Sequence, residues 1–142
     1  QVYDIQYDDY RSVNQYTFSF SLQMVDCIKN GDYKKAFSIL EDNHSMEAEL
    51  CLQELIKYIL YSLNASLELG ESIHSADDVM AAGFNWCPPL AMIDVLGGKE
   101  KFVQLCEERT NIKKSMGDSR NKLYDKIEKS QYDFRRFIKA KL

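Results

Sequence analysis

Seven apolar residues, Leu52, Leu55, Ile56, Ile59, Leu60, Leu63 and Leu67, recur at three- and four-residue steps with no glycine or proline between them. That spacing holds them on one face of an α-helix and scatters them over both faces of a strand. Ser45 is a natural N-cap, Glu47 and Glu49 fall in the first turn where carboxylates meet the positive helix end, and Gly70 supplies the stop. A helix over about residues 45–69 would run roughly 37 Å at 1.5 Å per residue, about the full diameter of a compact domain of this size. Whatever the chain folds into must be built around this rod.

The flanking segments give further helices. Val13, Tyr16, Phe20, Met24, Cys27 and Ile28 follow helical spacing, although the alternation Tyr16, Phe18, Phe20, Leu22, Met24 also suits a strand; Asn30-Gly31 ends the segment. Asp32 can cap a short helix carrying Tyr33, Ala36, Phe37 and Leu40, closed at Asp42-Asn43. Ser75-Ala-Asp-Asp78 resembles a capping box and starts a short helix ending at Gly83. Pro88-Pro89 bars helix before it and suits the first turn after it, so Leu90, Ile93 and Leu96 become a buried face stopped by Gly97-Gly98. Lys99 to Arg109 and Leu123 to Ala140 are two more helical stretches, parted by Asn111 and Met116-Gly117-Asp118. With no convincing strand ladder and no internal repeat, the expected fold is an all-α multi-helix bundle. Residues 1–11, acidic and aromatic without helical period, read as an extended lead-in or linker, and residues 12–142 as one helical domain.

At 142 residues the chain has room for one ordinary domain, and 45% apolar with 28% charged residues describes a globular protein. No apolar run reaches the roughly 20 residues that span a bilayer, and Gln1-Val2-Tyr3-Asp4 has neither part of a signal peptide. The chain does not begin with methionine and is read as processed or as part of something longer. Its net charge of −4 is uneven: residues 113–142 hold 10 basic and 4 acidic side chains. Such a tail can meet nucleic acid, anionic lipid or a phosphorylated cofactor, but Lys126, Lys129, Arg135 and Arg136 alternate with Tyr124, Ile127, Tyr132 and Phe137, which favours a solvated helix face docked on an acidic body. Neither a nucleic-acid nor a membrane partner is expected. Cys27, Cys51, Cys87 and Cys106 form no Cys-x-x-Cys pair, and three of them fall on apolar helix stripes, as reduced thiols do; a zinc site is not expected, and a cytoplasmic location is.

Chemistry is sparse. Gly97-Gly98, the one glycine pair, follows a helix, whereas a dinucleotide site needs glycines where a strand turns into a helix. His44 has Glu41 and Glu47 near in sequence, and His74 has Asp77 and Asp78; either could pair with a carboxylate for proton transfer, though a polar histidine before a helix is ordinarily just exposed. Gly83-Phe84-Asn85-Trp86-Cys87-Pro88-Pro89 places the single tryptophan and both prolines between two helices, where they can plug a core or line a ligand pocket; composition favours the plug. Asn64, one turn from Leu60, Leu63 and Leu67, would need partners if buried, from the fold or from a ligand.

Three runs, Leu63-Asn64-Ala65, Ala76-Asp77-Asp78-Val79-Met80 with Gly83-Phe84-Asn85-Trp86, and Pro89-Leu90-Ala91-Met92-Ile93-Asp94-Val95-Leu96-Gly97, together resemble the C-terminal helical domain of 3-hydroxyacyl-CoA dehydrogenases. Asp77 or Asp78, Met80, Gly83, Pro89, Asp94 and Gly97 match that family's order, and Val2-Tyr3-Asp4 and Tyr132 to Phe137 resemble the ends of the domain. The clear resemblance covers about residues 52–98. It departs from the family at Asn85, where a glycine is usual, at Pro88-Pro89 in place of Gly-Pro, and at Asn64-Ala65, so no acidic role transfers. The resemblance implies a substrate-enclosing and dimerising domain, with NAD and the His–Glu pair held by a Rossmann domain absent from this chain. It implies Phe84, Asn85, Trp86, Pro88 and Pro89 along the acyl side of an acyl-CoA, Asn64 orienting a polar group, and the basic tail near the CoA phosphates. No catalytic or metal-binding residue is expected here.

Overall fold

A computed structural model describes residues 1–13, 17–70, 72–109 and 117–138, the last segment without side-chain detail at 117–120. It is all-α apart from one small hairpin. The rod expected from the apolar stripe is there: α3, Met46–Leu69, buries Leu52, Ile56, Ile59, Leu60 and Leu63. Ser45 Oγ accepts the Ala48 amide at 3.3 Å, as an N-cap should. Gly70 closes the helix in an extended, not left-handed, conformation where only glycine fits, since a Cβ there would lie 2.6 Å from the Ser66 carbonyl oxygen.

Before the rod come α1, Ser19–Lys29, and α2, Tyr33–Asp42, packed together across a turn in which Gly31 has φ +79° and Asp32 caps α2 through the Lys35 amide. The strand alternative for residues 16–24 is thus excluded from Ser19 onward. The helix begins later than Val13, which is exposed, and Tyr16 lies outside the described residues. After the rod come α4, Ser75–Asp78; a π-helical segment, Val79–Phe84; α5, Pro89–Val95; α6, Lys99–Arg109; α7, Gly117–Asp125; and α8, Arg135–Ile138. The core is one cluster in which α3 meets Leu90, Ile93 and Leu96 of α5 and its end, Phe102, Leu105 and Cys106 of α6, and Leu123 of α7. Gly97 and Gly98, both left-handed at φ +100° and +95°, turn the chain between α5 and α6.

Four sequence expectations are corrected. The lead-in is not merely extended: Val2–Asp4 (β1) pairs antiparallel with Asp9–Arg11 (β2), Tyr3 opposite Tyr10. Those rings meet edge to face at 5.3 Å, and Asp8 takes the left-handed turn that aspartate tolerates; strands of three residues are too short to show alternation. Ser75 is not a cap, because His74 occupies the N-cap position without a side-chain bond, and the segment runs past Gly83 to Phe84. The helix drawn from Leu123 to Ala140 breaks: α7 ends at Asp125 in tight turns, Lys126 N–H to Leu123 O and Ile127 N–H to Tyr124 O, and residues 126–134 cross the body without helix. Gly117 and Asp118 lie inside α7 rather than before it, while Asn111, Met116, Lys139 and Ala140 are outside the described residues. Finally, Cys51 is exposed and Cys27 half-buried, so of the three stripe cysteines only Cys106 packs fully as a core thiol; none of the four cysteines is in a disulfide.

Candidate functional site

The junction between α4 and α5 combines backbone constraint, a buried carboxylate and exposed aromatic rings. Helix α5 begins on Pro89, whose missing N–H costs nothing at a first helical position, but Pro88 ahead of it has no side-chain acceptor for the next amide. Asp77, reaching across from α4, supplies it: Oδ1 accepts the Leu90 N–H at 2.8 Å. Oδ2 accepts the Ser130 hydroxyl at 2.5 Å. Asp77 is 1% exposed, and that burial holds its carboxyl above the usual carboxylate range, partly offset by the bonds from Ser130 and Leu90.

Between these helices the π-helical segment closes on Asn85, left-handed at φ +51°, with Trp86 N–H bonded to Met80 O at 2.9 Å. Widened helical turns of this kind are frequent at functional sites. Trp86 and Phe84 are each 62% exposed, with their ring centroids 6.2 Å apart, and Trp86 also meets Tyr58 of α3 edge to face at 6.3 Å. Neither ring plugs the core. Pro88 and Pro89 are buried, and Tyr58 OH donates to the Cys87 carbonyl at 2.7 Å, so the loop is pinned from behind while its aromatic rings face outward. Burial pushes the Tyr58 phenol up to about 12 and drives the Cys87 thiol upward, the nearby Asp77 carboxylate adding to both. A thiol kept protonated is a poor nucleophile.

Asn64 stands apart from that loop. It lies six residues along α3 from Tyr58, about 9 Å up the axis and about 120° around it. Half-buried, it donates to Glu68 Oε1 at 2.8 Å, so its partner comes from its own helix. It lines a groove of about 430 Å³ with Leu67, Glu68, Lys122, Leu123, Asp125 and Lys126, which sets two tail cations beside it together with two carboxylates. The structure therefore groups Phe84, Asn85, Trp86, Pro88 and Pro89 at one junction and places Asn64 with Lys122 and Lys126 at another.

Both histidines find carboxylates other than those nearest in sequence. His44 Nδ1 lies 3.2 Å from Glu49 Oε1, in a network where Arg109 binds the Glu49 carboxylate and the Glu41 carbonyl. His74 Nε2 lies 3.0 Å from Glu128 Oε2. Among the described residues no group of His, Cys, Asp and Glu is arranged to hold a metal ion, and no helix is long and apolar enough to cross a membrane. The strands among them are the antiparallel hairpin alone, so the strand-to-helix glycine turn that NAD requires is not found there.

The sequence hid the role of Asp77. A helix opening on Pro-Pro with no Ser, Thr, Asp or Asn just ahead of it was the available clue that an acceptor must come from elsewhere; Ser130 and Tyr132 gave no comparable signal. Because the folded-state pKa of Asp77 is raised, its contribution to stability is fully present below the ordinary aspartate pKa of about 3.9 and is lost as pH rises through the folded value. Denaturant melts across that acidic window should show this loss in the native chain and not in Asp77→Asn; equal pH slopes would refute the assignment. No protein-family profile, curated protein or solved structure matches the chain.

Proposed function

We propose that the chain is the C-terminal, substrate-enclosing and dimerisation domain of a 3-hydroxyacyl-CoA dehydrogenase-like, NAD-dependent oxidoreductase of fatty-acid metabolism. The observation that carries this reading is the Phe84–Trp86 pair, solvent-facing on a junction anchored by Pro88, Pro89 and Tyr58. A rigid loop with outward aromatic rings is what an acyl chain needs along one wall when a second domain supplies the other. It falls within residues 52–98, where the resemblance is densest. Asn64 beside Lys122 and Lys126, with Glu68 and Asp125 balancing their charge, supports a polar contribution at the other groove. Exposed Tyr61, Leu69 and Val79 support self-association as a homodimer, and four cysteines outside any disulfide support a reducing, cytoplasmic setting. NAD, hydride transfer and the catalytic base belong in this proposal to a Rossmann domain that the chain does not contain.

Titration calorimetry with acetoacetyl-CoA is expected to show saturable binding, weakened about 5- to 10-fold by Trp86→Ala with helicity unchanged, the scale of one lost aromatic contact. Mixing the chain with acetoacetyl-CoA and NADH is expected to leave NADH absorbance constant, and sustained loss would defeat the proposal. A second reading, a non-catalytic all-α protein-interaction module, is favoured by an apolar groove of about 310 Å³ between α3 and the π-helical segment, lined by Tyr61, Ala65, Leu69, Val79 and Met80. No acyl-CoA binding, together with tight dimerisation, would select it.

A further inference from the structure

Residues 126–134 cross the body as a non-helical segment in which the side chains of Glu128, Ser130 and Tyr132 reach one short stretch. Glu128 meets His74, Ser130 meets Asp77, and Tyr132 OH donates to Asp78 Oδ1 at 2.7 Å. The three partners lie within residues 74–78. Both ends are sunk in the core: Ile127 is buried, and Phe134 packs edge to face on Tyr33 at 5.4 Å and Phe37 at 5.7 Å. Between those apolar anchors the segment is held chiefly by polar contacts, the kind that opens first, with the Tyr132 ring meeting Phe137 edge to face at 6.1 Å.

We propose that residues 126–134 are a strap whose docking sets the start of α5 and the aromatic loop before it, with Asp77 as the positioning residue that joins them. One carboxylate holds the strap by one oxygen and the Leu90 amide by the other, and α4, a single turn with no side-chain cap, does little else to fix that side chain. The coupling is electrostatic as well as geometric. A carboxylate accepts an amide hydrogen bond more strongly than a neutral carboxyl does, and burial pushes Asp77 toward the neutral form. The Ser130 hydroxyl opposes that push most, followed by the Leu90 amide and His74, while Asp78 works against them; Tyr58 and Cys87 face the same charge from the loop side. Lifting the strap therefore weakens the Leu90 cap even where α4 itself stays in place. The strap also walls a surface groove of about 420 Å³ against Tyr33, Lys34, Ala91 and Asp94, so its release would open that groove as it loosens the loop.

Amide hydrogen exchange followed by NMR on the whole chain tests this through Ser130→Ala and Tyr132→Phe. In both variants the Leu90 amide is expected to exchange about 10-fold faster, the scale of one lost hydrogen bond, while amides of α2 and α6 keep their native rates. In Ser130→Ala the Asp77 carboxyl should also titrate at higher pH than in the native chain, a shift that a packing role alone would not produce. Should Ser130→Ala fail to fold, Tyr132→Phe carries the test, since that phenol bonds Asp78 and not the Leu90 cap. Faster exchange in the strap with native exchange at Leu90 would overturn the proposal, as would an unmoved Asp77 titration.

Discussion

Asp77→Ala is expected to lower the unfolding free energy by about 3 kcal/mol, with the midpoint of thermal unfolding falling by roughly 10 °C for a chain of this size. Two donors lose their acceptor at once, the Leu90 amide and the part-buried Ser130 hydroxyl, and the Leu90 amide lies where water does not reach, with Leu90 unexposed and Asp77 1% exposed. An unsatisfied buried donor costs about 1–3 kcal/mol, and the alanine leaves a small void besides. Asp77→Asn keeps an acceptor for Leu90 and removes the charge that burial disfavours, so its loss should stay under about 1 kcal/mol. Chemical denaturation of both variants beside the native chain decides the matter. An alanine variant within about 0.5 kcal/mol of native stability would mean that the carboxylate does not join these segments.

Phe102→Ala should cost still more, about 3–5 kcal/mol, the range for emptying a fully buried aromatic site. Phe102 has no exposed surface and stands in the second turn of α6, in the core that this helix shares with α3 and α5. Those neighbours have little freedom to fill the void. Both are long or tightly capped, and α6 is itself tied down at its far end by Arg109 bonded to Glu41 and Glu49. Phe102→Leu, which keeps most of the volume, should recover more than half of the loss. The readout is again the denaturant midpoint at unchanged slope. A cost below about 1.5 kcal/mol for the alanine would show that the α3–α6 contact is looser than its burial indicates.

How much of this was readable beforehand depends on how local the causes are. The rod of α3 is written in an apolar repeat from Leu52 to Leu67 with a serine cap, and α2 and α5 in an aspartate cap and a proline start; each signal lies within a turn of what it controls. The break after Asp125 is the opposite case. Tyr124, Ile127, Tyr132 and Phe137 can be placed on a helix, but Glu128, Ser130 and Tyr132 find partners at residues 74–78, more than fifty positions away, and those contacts override the local pattern. The site divides in the same way. Trp86 and its prolines stood out by composition, yet whether they faced inward or outward depended on Tyr58 and Asp77, whose contacts arise only in three dimensions. Asn64 lost its apparent burial to a glutamate one turn along the same helix.

The long helix has one more consequence, for the way the molecule comes apart. Helix α3 packs directly on α2, α4, α5, α6 and α7, so it is a wall common to most of the other helices. Detaching any one of them would uncover apolar surface of α3 that the rest cannot cover, which ties their unfolding into a single transition. The hairpin of β1 and β2 shares no such wall. Its closest partners are its own two strands, and Ile5 and Tyr7 at its turn are exposed. Heating should therefore release the hairpin first as a separate, shallow event, with the helices following together.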